Sequence, residues 1–257
     1  MRCLLQMLIK NNRDHLLRTK KQMQKFELLS FANADELAAR VASLWLDEIE
    51  SANRAGKNHC VALSGGRITQ KFFNETVKQA KMRNVSFARV HFFWADERCV
   101  PPTDAESNFK LANDLLFAPL KIAETQIHRL RGEIAPAEAV KIAETELRQI
   151  APVLDLIFLG MGEDGHVASL FPNATEKILD TTAPFLAIEN SPKPPPNRIS
   201  LSYTAIAAAQ QVWVLASGAG KEAALRSSLD PNDKTPLGRV IRLRAGTKIF
   251  SDLGGIT

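Results

Sequence analysis

Residues 153–166 read Val-Leu-Asp-Leu-Ile-Phe-Leu-Gly-Met-Gly-Glu-Asp-Gly-His, an apolar run that changes abruptly into glycines, acids and a histidine. Three other apolar runs end in a similar way: 60–63 is followed by Ser-Gly-Gly-Arg, 90–94 by Ala-Asp-Glu-Arg, and 212–216 by Ser-Gly. Continuous apolar strands that alternate with helical patterns are typical of a parallel sheet covered on both faces. The sequence therefore predicts an α/β fold with a mostly parallel sheet and helices on both faces.

The polar segments that follow these strands predict the position of a binding site. In open parallel sheets, ligands bind beyond the carboxyl ends of the strands. Here the glycines and charged residues come directly after four apolar runs. Residues 191–196, with four prolines, instead predict an extended surface loop.

Composition limits the class of protein. The chain has 257 residues, 45% of them apolar, and no apolar stretch of the length that spans a membrane. The chain has 33 Lys and Arg residues and 28 Asp and Glu residues. Six of the basic residues and one of the acidic residues lie in residues 1–22, so residues 23–257 hold 27 basic and 27 acidic residues. The sequence predicts a basic leader over 1–22, disordered or an extension upstream of a start at Met23, and one α/β domain over 23–257. Neither nucleic acid nor a membrane is an expected partner.

The cysteines and most histidines predict neither disulfides nor a metal site. Cys3, Cys60 and Cys99 form no CxxC pair, which favours a reducing cytoplasm. No His, Cys and carboxylate residues cluster at the spacing of metal ligands. We therefore expect His59, His91 and His128 to be structural or surface residues.

His166 is the candidate general base. A histidine at the end of a buried strand, two residues after Asp164, can accept a proton near neutral pH. Residues 160–165 also match the pattern GxGxxG, but two acids would face the pyrophosphate of a dinucleotide, and Pro172 leaves little room for the required helix. The sequence therefore predicts a catalytic turn and no nicotinamide cofactor.

A phosphate site is predicted near the same edge of the sheet. Glycine amides at the start of a helix, followed by a guanidinium, are suited to an anion. The candidate substrate-binding residues are Ser64, Gly65, Gly66, Arg67, Arg98, Arg198 and Lys221.

Five blocks of the chain, in the same order, resemble 6-phosphogluconolactonases. They are residues 63–66, 93–101 with Ser107-Asn108, 159–172, Arg198–Leu201 and 218–221. The resemblance covers essentially all of 23–257, and the third block is the most specific. It implies a Rossmann-like sheet similar to that of glucosamine-6-phosphate deaminase, and hydrolysis of a small phosphorylated sugar lactone without a cofactor or metal.

The same resemblance implies roles for the candidate residues. His166 removes a proton from water, while Asp164 orients the imidazole or binds a sugar hydroxyl, and the neighbouring Glu163 is an alternative to it. The cations and glycine amides hold the phosphate, with Arg98 facing either the phosphate or the oxyanion. The chain departs from the family at Ile68-Thr69, where Thr-Pro is usual, so a phosphate contact at position 68 is in doubt.

Two other functions are weighed against the lactonase. A deaminase-like isomerase resembles this chain in the histidine loop, but Phe171 stands where the deaminase has a glutamate. A non-catalytic sugar-phosphate sensor would need a DNA-binding module, for which 22 residues are too short. The sequence therefore predicts a cytoplasmic lactonase that is a monomer or a weak homo-oligomer.

Overall fold

Nine strands form two sheets in the structure, which is a computed structural model describing residues 26–256. The predicted leader lies outside the described residues. The strands are β1 (Phe26–Ser30), β2 (His59–Leu63), β3 (Val90–Trp94), β4 (Asp96–Arg98), β5 (Leu156–Gly160), β6 (Phe185–Ile188), β7 (Arg198–Leu201), β8 (Gln211–Ala216) and β9 (Thr247–Ser251). Six of them form a parallel sheet in the order β1-β9-β8-β5-β2-β3, and β4-β7-β6 form an antiparallel sheet.

Helices connect these strands. They are α1 (Ala34–Arg54), α2 (Arg67–Arg83), α3 (Asn108–Ala112), α4 (Ala118–Leu120), α5 (Pro136–Ile150), α6 (Glu176–Leu179), α7 (Tyr203–Ala208), α8 (Glu222–Leu229) and α9 (Pro236–Leu243). A π turn over Asn113–Phe117 joins α3 to α4, and Glu124–Gln126 is a 3-10 turn. No helix within 26–256 combines the length and the apolar character needed to cross a membrane.

The central strands are buried on both faces, as the continuous apolar runs predict. Every residue of β2 is buried, and so are four of the five in β5. Trp45 of α1 packs its ring 5.3 Å from Phe158 of β5 and 5.5 Å from Phe72 of α2, measured between ring centroids. The α/β class with a mostly parallel sheet is confirmed, and its core lies between the sheet and these helices.

The order of strands places a crevice between β2 and β5. From β2 the chain continues to β3 on one side, and it later returns to β5 on the other side before reaching β8 and β9. At such a reversal, the loops that leave the two adjacent strands diverge and leave a crevice beyond their carboxyl ends. The loops that start at Ser64 and Met161 border this crevice.

Candidate active site

The histidine loop is a tight turn at the end of β5. The amide of Gly162 donates to the carbonyl of His166 at 2.9 Å, and the amide of Gly165 donates to the carbonyl of Gly162 at 3.1 Å. In the first turn of α9, the amide of Leu237 donates to the carbonyl of Gly165 at 3.1 Å. Hydrogen bonds at both ends therefore hold the turn in place.

His166 and Asp164 form a hydrogen-bonded pair. The Nδ1 atom of His166 lies 2.5 Å from Oδ1 of Asp164, which also accepts the backbone amide of His166 at 3.2 Å. Burial lowers the pKa of His166 below its usual 6.5, although Asp164 opposes the shift. Burial alone would raise the pKa of Asp164, but the hydrogen bonds and charge of His166, together with the charge of Lys193, outweigh burial and hold that pKa below its usual value. An ionised carboxylate can only accept, so Nδ1 carries the proton and Nε2 is left with its lone pair.

The structure distinguishes Glu163 from Asp164, which the sequence alone does not. Glu163 lies near the loop after β8, where its carboxylate is about 4 Å from the place a Cβ would occupy on Gly220. Of the two acids, Asp164 is the one bonded to the imidazole. Of the two roles predicted for Asp164, this contact supports the one that orients the ring, and that role stays a prediction.

Gly162 makes room for the imidazole. A Cβ on this residue would lie 2.0 Å from Nδ1 of His166 and 2.7 Å from Oδ1 of Asp164. Neither atom can withdraw without breaking the bond between the two side chains. The glycine is therefore required by the position of the ring and not by backbone conformation.

The loop after β2 lies beside the histidine loop. A Cβ on Gly160 would be 3.6 Å from the carbonyl oxygen of Gly65, and one on Gly65 would be 1.9 Å from Oδ1 of Asn108. Gly66 has φ 116° and precedes α2 with no side chain capping the helix. The first amides of α2 therefore have no capping side chain.

The hydroxyl groups of this loop bond to backbone. Ser64 is buried and donates to the carbonyl of Phe158 at 2.8 Å. Thr69 donates to the carbonyl of Gly65 at 3.0 Å, whereas Ile68 packs into the core. Where the family usually has Thr-Pro, this chain therefore has an apolar side chain at position 68 and a hydroxyl at position 69 that bonds to the loop after β2.

Arg67 and Lys221 approach each other across the crevice. A Cβ on Gly218 would lie 3.7 Å from a terminal nitrogen of Arg67, so the loop after β8 reaches that guanidinium. Burial lowers the pKa of Lys221, and the charges of Arg67 and Lys193 lower it further, while Glu163 and Asp252 oppose them. Two of the predicted phosphate ligands therefore share one region.

The other two predicted cations lie side by side in the small sheet. Arg98 of β4 is paired in register with Arg198 of β7. Arg98 donates to the carbonyl of Glu106 at 2.6 Å. Arg198 is only 4% exposed, and its guanidinium donates to three backbone carbonyls of residues 193–195. Both guanidinium groups thus bond to loops of the protein, and their contact with substrate stays a prediction.

Arg198 is nevertheless linked to the histidine. Its guanidinium carbon lies 5.8 Å from the ring centroid of Phe171, and that ring lies 4.7 Å from the ring of His166. A terminal nitrogen of Arg198 is 3.9 Å from Asp96, whose carboxylate accepts the hydroxyl of Ser169 at 2.7 Å. Arg198 therefore packs behind the histidine loop.

Lys193 is a cation near the histidine loop that the sequence does not single out. Its ammonium nitrogen lies 3.9 Å from Oδ1 of Asp164, and its charge lowers the pKa of His166. The sequence feature that could have identified Lys193 is its position among the prolines of residues 191–196, shortly before Arg198. Composition alone marks this run as a surface loop, and only the folded chain brings it over the turn.

The other three histidines of residues 26–256 lie elsewhere. His59 accepts a hydrogen bond from the indole of Trp45 at 3.2 Å, and His91 and His128 are bonded to each other at 3.0 Å. Across residues 26–256, no group of three or more His, Cys, Asp and Glu side chains is arranged to hold a metal ion.

The family described as "Glucosamine-6-phosphate isomerases/6-phosphogluconolactonase" matches residues 32–249, most of the chain. The chain belongs to this family. A relative from Treponema pallidum, named 6-phosphogluconolactonase, is 33% identical over 209 residues, which cover 79% of this chain and 86% of the relative. The resemblance to 6-phosphogluconolactonases is confirmed.

Solved structures of the Glucosamine-6-phosphate isomerases/6-phosphogluconolactonase family have the same fold. The crystal structure of 6-phosphogluconolactonase from Thermotoga maritima matches with a TM-score of 0.75 and 27% identity, covering 88% of this chain and 98% of that one. A monomeric glucosamine-6-phosphate deaminase matches with a TM-score of 0.78 and 15% identity, covering 90% of this chain and all of that one. The second likeness concerns the fold alone.

Proposed function

We propose that the chain hydrolyses 6-phospho-D-glucono-1,5-lactone to 6-phospho-D-gluconate, the second step of the oxidative pentose phosphate pathway. Family membership and relatives named 6-phosphogluconolactonase support this carboxylic ester hydrolase activity. The observation that carries the mechanism is the bond between His166 Nδ1 and Asp164, which leaves Nε2 free at the crevice between β2 and β5.

The reaction needs a water, a base and a stabilised oxyanion. Nε2 of His166 removes a proton from water as the oxygen attacks the lactone carbonyl, whose π electrons move onto its oxygen. The tetrahedral intermediate collapses, the bond from carbon to ring oxygen breaks, and the imidazolium returns its proton to that oxygen. The new carboxylic acid then ionises into solvent. Asp164 stabilises the transient imidazolium, and such general-base help contributes roughly 10²–10⁴-fold.

The phosphate binds at the far end of the substrate. Arg67, Lys221 and the amides of Gly65 and Gly66 provide charge and hydrogen-bond donors next to the first turn of α2. Ser64 contributes through its backbone, since its hydroxyl is bonded to Phe158. A phosphate held there fixes the ring and places the carbonyl at His166.

The contacts around His166 favour hydrolysis over the isomerase alternative. Phe171 packs its ring 4.7 Å from the imidazole, at the position where the deaminase-like loop has a glutamate. An apolar ring cannot move the protons of sugar ring opening. A sensor without catalysis would not need the oriented imidazole.

The compartment and the oligomeric state of the protein are also part of the proposal. We place it in the cytoplasm as a monomer or weak homo-oligomer that takes a small phosphorylated sugar lactone. Cys60 and Cys99, the two cysteines in the described part of the chain, are unpaired, and burial raises the pKa of each thiol to about 11. Unreactive free thiols are consistent with a reducing compartment.

The test supplies freshly prepared 6-phosphoglucono-δ-lactone and follows its loss above the spontaneous rate. The purified chain should accelerate the loss, and His166→Ala should lower kcat roughly 10²–10⁴-fold with little change in melting temperature. His128→Ala, in a histidine away from the crevice, is the matched control. A wild-type chain that does not exceed the spontaneous rate would overturn the proposal, and an active His166→Ala variant would remove the histidine from the mechanism.

A further inference from the structure

We propose that Lys193 is a substrate-contacting cation at the reacting end of this site, and that Arg198 is a positioning residue that acts through it. The inference rests on the proposed lactonase function and adds a cation that lies beside Asp164 and whose charge also acts on Lys221. Two observations support it. The loop of residues 191–196, called the proline loop below, is bonded to Arg198 of β7, and Lys193 of this loop lies near Asp164.

Arg198 holds the loop by its backbone. Its Nε atom donates to the carbonyl of Pro195 at 3.1 Å, and one terminal nitrogen donates to the carbonyls of Pro194 at 2.9 Å and Lys193 at 3.2 Å. Bonds from one planar guanidinium to three consecutive carbonyls fix the path of that segment. Because Arg198 is almost fully buried, it fixes the segment to the small sheet and does not reach into solvent.

The loop is also closed upon itself. The hydroxyl of Ser191 accepts the amide of Lys193 at 3.3 Å and donates to its carbonyl at 2.9 Å. The amide of Ser191 donates to the carbonyl of Pro196 at 2.8 Å. Since each proline also has a restricted φ, the backbone of Lys193 has little freedom. The lysine is therefore presented by a fixed support.

The side chain of Lys193 ends where the reaction occurs. Its ammonium lies 3.9 Å from Oδ1 of Asp164, the oxygen that accepts from the imidazole. That separation is too long for a hydrogen bond, so the ammonium protons are free for another acceptor. Since 43% of the side chain is exposed, a substrate can reach it. Hydrolysis develops negative charge on the carbonyl oxygen beside His166, and an ammonium at this place stabilises it.

Lys193 also influences the base. The charged groups that act on His166 are Asp164 and Asp96, which favour its protonation, and Lys193, which opposes it. The ring of Phe171, 4.7 Å from the imidazole between centroids, adds no charge. A neutral residue at position 193 therefore raises the pKa of His166 and moves the acid limb of the pH–rate profile to higher pH.

The first experiment compares Lys193→Gln with Lys193→Arg and with Lys78→Gln, a control on the exposed surface of α2. Lys193→Gln should lower kcat roughly 10- to 100-fold, change KM much less, and move the acid limb upward. Lys193→Arg should restore most of kcat, and Lys78→Gln should behave like wild type. Wild-type kcat and pH profile in Lys193→Gln would overturn the proposal.

The second experiment tests whether Arg198 acts through Lys193. Arg198→Lys keeps the charge but loses the planar fork, and it should reproduce the loss of kcat and the shifted profile. Combined with Lys193→Gln, it should add little further loss, because both changes remove the same interaction. If Arg198→Lys lowers only the melting temperature, or if the two losses of kcat multiply, the positioning role is wrong.

A third measurement is independent of turnover. The pKa of His166, followed by NMR of the imidazole, should be higher in Lys193→Gln than in wild type, and unchanged in Lys78→Gln. If the wild type shows no lactonase activity but the shift is present, the proposed function fails while the placement of Lys193 stands. If activity is present but the shift is absent, the placement of Lys193 is wrong.

Discussion

Gly162 determines where the imidazole of the base lies. A methyl group at this position would overlap Nδ1 of His166 and approach Asp164 to 2.7 Å. Gly162→Ala should therefore displace the ring and lower kcat/KM by about 10²-fold, because a misplacement of about 1 Å has this cost. Gly254→Ala, where a Cβ meets no atom within 4 Å, is the control. Equal activity of the two alanine variants in the lactone assay would show that the ring is not held as described.

Single residues also show how far sequence reasoning reaches. The spacing of Asp164 and His166 predicts a catalytic turn, and the structure places the two side chains in contact. The choice between Glu163 and Asp164 depends on which way each side chain leaves the turn, which spacing does not encode. Arg198 is predicted to contact substrate, and that contact stays a prediction, but the sequence does not show that the fold buries Arg198 and turns its donors to the loop of residues 191–196.

At the scale of elements, β4 and α3 are joined by one buried carboxylate. Glu97 accepts the amides of Arg98, Asn108 and Phe109 and the hydroxyl of Ser107. Burial raises the pKa of Glu97, although the backbone bonds oppose it. The carboxylate thus satisfies first-turn amides of α3 and fixes the segment whose Asn108 packs on Gly65.

Replacement of this carboxylate should weaken the fold. Glu97→Gln presents an amide NH₂ to donors and should lower the free energy of unfolding by about 1–3 kcal/mol in chemical denaturation. Glu75→Gln, on the surface of α2, should change it by less than about 0.5 kcal/mol. If the two variants are equally stable, Glu97 has no such structural role.

The lengths and compositions of the strands explain which of the two sheets can be predicted from the sequence. The fully buried strands of the large sheet are visible as apolar runs, and the helix from Asn33 is visible by its cap and its period. The small antiparallel sheet is not, because β4 has three residues, all charged, and the four residues of β7 are too few for their alternation to stand out. The pairing of β4 with β7 joins segments about 100 residues apart, and local patterns carry no information on that pairing.

At the scale of the molecule, strand order brings the two ends of the site together. Loops from β2 and β8 carry Arg67 and Lys221, and the loop from β5, which lies between them in the sheet, carries His166. We therefore propose that the cations bind the phosphate while the imidazole performs the chemistry on the ring.

The most direct test measures kcat/KM for the phosphorylated and the nonphosphorylated lactone in wild type, Lys221→Gln and the surface control Lys78→Gln. Lys221→Gln should lower kcat/KM for the phosphorylated lactone roughly 10- to 100-fold, the value of a hydrogen bond to a charged group. It should leave the nonphosphorylated lactone nearly unchanged, while Lys78→Gln affects neither. Equal losses on both lactones, or no loss on either, would contradict the claim that one end of the crevice binds the phosphate while the other opens the ring.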